Sequence, residues 1–370
     1  MRFVHYIPIW IVLLLSACTS DEAVPDADEQ GNLTILFNVG SEKSTKTVLS
    51  SSDNLQHVEN VHLYIFNGIN DAATYVRTLD FSWPAPGGVG FQGTSHSYPV
   101  TLAPGAYTLL AIGLDDKSGA TYNLPAAITT GTTLSTARAI IASGKTKTDI
   151  AQSELFAGYA VAPDVQLGGN LPITIHLERR VAGIIGWFKN IPFRLPELTN
   201  GSIVDKMTIE LYTNQNKAIS LKKATTDDYG TTPFADDENG MNNKIVLEYD
   251  LSSYAQMAGK NVYDVTAIDA NNSLQAGSYI LPVMAPTTAP ATLILRFYDA
   301  TDTEIYRTSR IIKLDSSINP ATTAFSLDAN QLYSIGTKDT PIDLDPGIGG
   351  EIIIKVNPMW EGISDDIPLE

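Results

Sequence analysis

The chain has 370 residues, 24 basic against 41 acidic side chains, a net charge of −17 at pH 7, and a single cysteine. That acidic balance argues against recognition of nucleic acid or of an anionic membrane surface through charge. One cysteine also excludes an intrachain disulfide, so apolar burial and strand pairing must hold the fold together. The length suits two domains of ordinary size.

At the N-terminus, Arg2 and His5 precede an apolar run from Ile7 to Leu15 that is interrupted only by Pro8. A bilayer-spanning helix needs roughly 20 apolar residues, so this run reads as the core of an export signal. Leu15-Ser16-Ala17-Cys18 then sets the cysteine behind small residues, the pattern of a bacterial lipobox. In that chemistry diacylglycerol joins the sulfur of Cys18, and cleavage frees its amine for a further acyl chain. Two or more chains, at about 0.8 kcal/mol per buried CH₂, make a durable anchor. The expectation is a signal peptide over 1–17 and lipidation at Cys18, with the protein rooted by its acyl chains in the outer membrane. An ordinary secretory signal with a chance cysteine is the alternative. Removing the signal takes away one of the 24 basic residues and none of the 41 acidic ones, which leaves a charge of −18. Residues 18–30 carry Asp21, Glu22, Asp26, Asp28 and Glu29 and read as a solvated acidic tether. This cluster directly after Cys18 also resembles the surface-export signal of Bacteroidetes lipoproteins, which would place the protein facing the extracellular medium.

Beyond the tether, period-two alternation recurs. Leu33, Ile35, Phe37 and Val39 share one face of a predicted strand, with Thr34 and Asn38 on the other. Val61, Leu63 and Ile65 alternate with His62 and Tyr64, and Asn67-Gly68 opens a turn before Tyr75–Phe81, a hairpin signal. Ala103-Pro104-Gly105 predicts a tight turn ahead of Tyr107, Leu109 and Ala111. Further strands are predicted over 173–188, 206–212, 244–249, 279–283, 292–298, 304–314, 324–327, 332–336 and 351–356. Only 134–142 looks helical. The class is therefore all-β, and many short strands with turns between them indicate sandwiches. Leu63-Tyr64-Ile65-Phe66-Asn67 followed by Tyr75-Val76-Arg77-Thr78 is echoed by Leu293–Asp299 followed by Tyr306-Arg307-Thr308, which supports two similar units. We expect an N-terminal unit over 31–179 and a C-terminal one over 180–370. Ile173, Ile175 and Leu177 run on through Glu178-Arg179-Arg180 into Val181–Ile185 without a Pro- or Ser-rich linker, so the two should be stiffly joined.

No constellation for catalysis emerges, and no enzyme, cofactor or metal is expected. His57, His62, His96 and His176 lack partners at helical metal-ligand spacing, and each reads as an ordinary strand or surface histidine. Ser143-Gly144-Lys145-Thr146 resembles the tail of a phosphate loop, but Ala139 stands where its first glycine belongs. Asp237-Glu238-Asn239-Gly240 hints at a calcium loop, yet Ala235 occupies the first ligand position and no glutamate closes it. Gly93-Thr94-Ser95-His96 lacks the glycine that a nucleophile elbow needs after its serine.

In order along the chain, the lipobox is followed by Val61–Phe66, Leu102-Ala103-Pro104-Gly105-Ala106-Tyr107 and Ser153–Gly158. Leu177–Ala182, Ala329–Ile335 and Ile354-Lys355-Val356-Asn357-Pro358-Met359-Trp360 complete the series. This series resembles the fimbrillin-associated anchor subunits of Bacteroidales type V pili over nearly the whole mature chain. The resemblance implies two tandem transthyretin-like Greek-key β-sandwiches, location in a fimbrium at the outer membrane, and partnership with fimbrial stalk subunits. It also implies assembly by exchange of a C-terminal strand into a groove of the neighbour. In stalk subunits of such pili an arginine-specific protease opens that groove by removing the N-terminal strand, whereas an anchor is spared. Between Cys18 and Val76 this chain has no arginine; the first is Arg77, although Lys43 and Lys46 offer sites to another protease.

For the exchanged strand, Ile352, Ile354 and Val356 would project to one face and Ile353 with Lys355 to the other, with Trp360 close behind. Strand addition supplies main-chain hydrogen bonds while alternate side chains fill pockets. Three such side chains would contribute roughly 5–9 kcal/mol of burial before ordering costs. The alternative is that this segment is the last strand of the second unit, because a free apolar strand is an aggregation hazard. Two other functions stay open. A tip or stalk subunit or adhesin would share the fold and meet a host or bacterial surface ligand. A glycan-binding lipoprotein of a nutrient-uptake system would expose Trp83, Trp187 or Trp360 as sugar platforms, although Trp187 in its apolar run reads as core.

Overall fold

The computed structural model describes residues 30–39, 58–82, 95–115, 118–195, 202–223, 229–305, 310–316, 319–344 and 352–358. In chain order the first elements are β1 (Gly31–Val39), β2 (Asn60–Asn67), β3 (Thr74–Ser82), β4 (Ser95–Leu102) and β5 (Gly105–Leu114). Next come α1 (Ser118–Thr121), β6 (Arg138–Ile140), α2 (Lys147–Ala151), β7 (Leu155–Val165), β8 (Asn170–Arg179) and β9 (Ala182–Lys189). Then follow β10 (Lys206–Leu211), β11 (Ala218–Ser220), β12 (Ile245–Asp250), β13 (Ser273–Ile280) and β14 (Leu293–Tyr298). The series ends with β15 (Arg310–Ser316), β16 (Asn319–Thr322), β17 (Gln331–Ile335), β18 (Ile342–Asp343) and β19 (Ile352–Pro358). Among the described residues the two α-helices are of four and five residues, and the architecture is all-β.

Seven strands form the first sheet, in the order β3-β2-β5-β7-β8-β1-β4. Period-two burial explains it. Leu33, Ile35 and Phe37 of β1, Val61, Leu63 and Ile65 of β2, and Leu109 and Ala111 of β5 all point into one core. The sheet curls until its two edge strands face each other. Tyr98 of β4 donates its hydroxyl to the Ser82 carbonyl at 2.8 Å, Arg77 of β3 reaches the Thr101 carbonyl at 2.5 Å, and the Phe81 and Tyr98 rings lie 4.6 Å apart. This makes a half-barrel, bridged by side chains where backbone pairing stops.

The second sheet runs β12-β10-β14-β15-β19-β17-β9-β13, with β16 on β15 and β18 on β9. Its edge strands β12 and β13 pack against one another, so the sheet nearly closes into a barrel around a core that includes Met207, Ile209, Leu293, Leu295, Ile352 and Ile354. Helix α2, carried by the first half, sits at that seam. It packs on β13, and Lys147 donates to the Ile245 carbonyl of β12 at 3.2 Å. Covering two edges with a helix removes unpaired backbone from solvent.

The halves are fused. Strand β8 ends in the first sheet at Arg179 and β9 opens in the second at Ala182, separated only by buried Arg180 and Val181. A third apolar cluster draws on both sides, with Tyr64, Phe66, Leu110 and Ile112 from the first half and Val181, Ile185, Ile219, Phe234 and Leu332 from the second. Strand β6 pairs with β11 across the joint, and Arg180 donates to the Ser220 carbonyl at 2.8 Å. Lys222 binds Asp71, and Lys223 meets Glu178 at 2.8 Å. Glu154 is a buried node here. Arg179 donates to its carboxylate at 2.7 Å, Tyr279 of β13 donates to it as well, and its own N–H reaches the Asp115 carboxylate at 2.7 Å. Burial raises the Glu154 pKa and nearby Asp115 adds to the effect, against the opposing pull of Arg179 and Tyr279.

Three sequence expectations change. The segment expected to be helical over 134–142 is helical only as one short 3-10 turn, Leu134–Thr136, and then becomes β6, because Ala137 and Ala139 are buried on alternate positions and β11 supplies a partner. The run 173–188 is two strands in different sheets, since the chain turns at Arg180. Residues 324–327 form no strand and contribute only an isolated bridge between Val283 and Leu327.

Two substitutions test this packing. A methyl group on Gly158 would stand 1.9 Å from the His176 carbonyl of β8, so Gly158→Ala should cost about 1–3 kcal/mol in urea unfolding. A carboxyl whose pKa is raised by folding lowers native stability as pH climbs from its unfolded value, about 4.3, through the folded one. Glu154→Gln should therefore gain stability relative to the parent as pH rises across that window; urea midpoints whose difference stays flat from pH 4.5 to 8 would contradict the assignment.

Candidate functional site: the first and last strands

Strand β19 holds an interior position. It runs parallel to β15, with Ile312 opposite Ile352 and Leu314 opposite Ile354, and antiparallel to β17, with Tyr333 opposite Val356 and Ile335 opposite Ile354. Ile352 and Ile354 are buried in the second core, Val356 packs half-buried against it, Ile353 is half-buried, and Lys355 is exposed. The predicted two-faced strand is thus present, and within this chain it fills its own sheet. Trp360 lies outside the described residues.

Strand β1 has the same relation to the first sheet. It is parallel to β8, from Asn32 opposite Asn170 to Val39 opposite Leu177, and antiparallel to β4, from Gly31 opposite Leu102 to Asn38 opposite Ser95. Leu33, Ile35 and Phe37 are fully buried. Each half therefore seats one terminal strand between a parallel and an antiparallel neighbour. Cys18, Lys43 and Lys46 lie outside the described residues. Arg77 lies on edge strand β3, with its guanidinium held on the Thr101 carbonyl.

The residues considered for chemistry do not converge. His62 pairs with Asp80 at 2.5 Å, His96 is half-buried on β4, His176 is exposed on β8, and His57 lies outside the described residues. Among the described residues no three His, Cys, Asp or Glu side chains gather as a metal site. Lys145 and Thr146 serve helix α2: Thr146 caps it, and Lys145 donates to Asp149 at 2.9 Å. Burial works to raise the Asp149 pKa, but hydrogen bonds from Lys145 and the Thr146 N–H outweigh it and leave the carboxyl below its ordinary value. The 237–240 segment is a tight turn with Asp237, Asn239 and Gly240 at positive φ, and the Glu238 carboxylate is occupied by Lys217 at 2.9 Å and the Ala235 N–H at 2.8 Å. Ser95 and His96 open β4, whereas Gly93 and Thr94 lie outside the described residues. Trp187 is half-buried against the joint cluster, and Trp83 lies outside the described residues.

Within the chain, backbone pairing on both sides holds each of these two strands. If β19 is the strand that the second core needs, truncating it must be felt. Ile354→Ala should cost about 2–5 kcal/mol in the isolated chain, and Lys355→Ala less than about 0.5 kcal/mol, as read by urea unfolding.

No curated protein matches the chain at a significant level. Among solved structures it is similar to the tip fimbrial protein Mfa3 from Porphyromonas gingivalis with C-terminal truncation, at 10% identity and a TM-score of 0.39, covering 82% of this chain and 93% of that one. It is similar to the fimbrial anchor protein Mfa2 from Porphyromonas gingivalis at 15% identity and a TM-score of 0.36, covering 75% and 82%. A fimbrial assembly protein from Parabacteroides distasonis matches at 14% identity and a TM-score of 0.34, covering 83% and 90%. These structural likenesses are distant. The sequence match to a family is extensive: residues 25–366 fit the fimbrillin-A associated anchor proteins Mfa1 and Mfa2. By that match, this chain is a member of the fimbrillin-A associated anchor protein family.

Proposed function

We propose that the protein is the anchor subunit of a type V fimbrium, lipid-attached to the outer membrane through Cys18 and joined to a stalk subunit by exchange of a β-strand. It does so without catalysis. The two halves are read as transthyretin-like Greek-key units, with β1 retained and β19 donated through Ile352, Ile354, Val356 and the following Trp360.

The observation that carries this reading is the placing of β19. It is an apolar strand whose two neighbours both belong to its own half, Ile312–Asp315 of β15 on one side and Gln331–Ile335 of β17 on the other. A second sheet offering an equivalent slot could satisfy the same hydrogen bonds and bury the same Ile352 and Ile354, so the strand itself loses little on exchange, while the slot it vacates between β15 and β17 must be filled or closed. Self-occupation protects the strand until a partner accepts it, because a free edge of three apolar positions would aggregate. Retention of β1 is supported by the absence of arginine from Thr19 to Val76, which leaves an arginine-specific protease no site just beyond that strand.

The test is mass spectrometry on surface fibres isolated from cells. The expected finding is a co-purifying chain that begins at an acylated Cys18 and still carries residues 31–39. Recovery only of chains that lack everything before position 47 would make it a stalk subunit, and absence from the fibres would reject a fimbrial role.

A further inference from the structure

The strand directions define a path for tension through both halves. Under the anchor reading, on which this argument rests, pull from the membrane enters at the N-terminal end of β1, and pull from the fibre acts on the C-terminal side of the second half. In the first half the load enters at Gly31 and leaves at Arg179, the end of β8. Strands β1 and β8 are adjacent and parallel over eight registered pairs, Asn32 with Asn170 through Val39 with Leu177. The loaded ends therefore lie at opposite extremes of one ladder, roughly 30 Å apart at about 3.3 Å per residue. Tension then tries to slide one strand past the other. All the bonds of the ladder share that load at once, whereas peeling breaks them one after another.

The second half repeats the arrangement. Load enters at Ala182, the start of β9, after only Arg180 and Val181. It leaves beyond β17 and β18, both parallel to β9, with Leu332 opposite Gly183, Ile335 opposite Gly186, and Ile342 opposite Phe188. The exit is pinned to the far end of β9. The Leu344 N–H donates to the Lys189 carbonyl at 3.0 Å, Asp343 pairs with Lys189 at 3.3 Å, and Asn190 donates to the Asp343 carboxylate at 3.0 Å. Between the two ladders, the β6–β11 pair and the shared apolar cluster brace the joint against bending.

From this geometry we infer that the chain is a mechanical strut: two shear-loaded parallel ladders in series, β1 on β8 and β9 on β17 and β18, joined without a hinge. Buried Leu33, Ile35 and Phe37 would have to be dragged along the sheet before the first ladder could slip. Neither ladder includes β19, so donation of that strand leaves the path intact.

Single-molecule force spectroscopy on the full chain tests the assignment, with Cys18→Ser so that introduced cysteines are the only thiols. Handles on Gln30→Cys with Asp345→Cys, which follows β18 in the chain, load both ladders in shear. Handles on Gln30→Cys with Ala103→Cys instead peel β1 from β4, because Gly31 faces Leu102 at the same end of that antiparallel pair. The expected rupture force for the shear pair exceeds that for the peel pair by about twofold or more at the same loading rate, since forced unfolding follows the barrier along the pulled direction. Equal or lower force for the shear pair overturns the inference. The readout needs no fibre. A weak shear pair in a protein that does co-purify with fibres overturns the strut and leaves the anchor role, while a strong one in a protein absent from fibres supports the strut and removes the anchor.

Discussion

Because β1 and β19 are interior strands, withdrawing either would strip backbone partners from two neighbours at once: β4 and β8 in the first half, β15 and β17 in the second. Buried backbone groups must be paired, and in an all-β chain with one cysteine no other cross-link can substitute. The rest of the molecule is arranged around these two strands. Leu33, Ile35 and Phe37 seat the first, and Ile352 and Ile354 seat the second, each in its own apolar core.

The joint follows from the same need to satisfy strands. A chain that passes from one sheet to the other with two residues between has no room for a linker, so those residues must themselves be buried and bonded. Arg180 is the costly case, a guanidinium in the interior of the joint that uses the Ser220 carbonyl at the end of β11. Once β8 and β9 are fixed end to end, segments such as β6 with β11 and α2 over the β12–β13 seam can be shared between halves. The outcome is a body in which neither half has a complete outer surface alone.

Much of the sheet structure was legible as alternation. Strands β1, β2, β3, β5, β10, β12, β14, β17 and β19 carry enough aliphatic or aromatic residues at every second position to announce themselves. Strands β4, β7 and β13 did not. Ser95–Leu102 alternates serine with histidine and tyrosine and contains Pro99, Leu155–Val165 is rich in alanine with Gly158 and Pro163, and Ser273–Ile280 begins with small and polar residues. Their pairing is dictated by neighbours, which local propensity does not encode. The expected helix over 134–142 stopped after Thr136 for the same reason: its alanines favour a helix in isolation, but β11, some eighty residues later, made residues 138–140 a strand. The two-faced C-terminal strand was readable from Ile352, Ile354 and Val356. Its central place in the sheet was not, because order within a sheet depends on connections rather than on the strand's own residues. Lys145, Thr146 and Glu238 looked like fragments of binding loops because capping and tight turns use the same residue types.

Strand exchange can be read most directly with a covalent reporter inside the native slot. Ser334 of β17 and Lys355 of β19 stand directly opposite each other, at a separation suited to a disulfide between cysteines. In purified, isolated chains carrying Ser334→Cys and Lys355→Cys, the intramolecular bond should form. In chains recovered from assembled fibres after oxidation, the account predicts that this bond is missing, because β19 has left its own sheet. Fibre-bound chains with the 334–355 bond fully formed would contradict it.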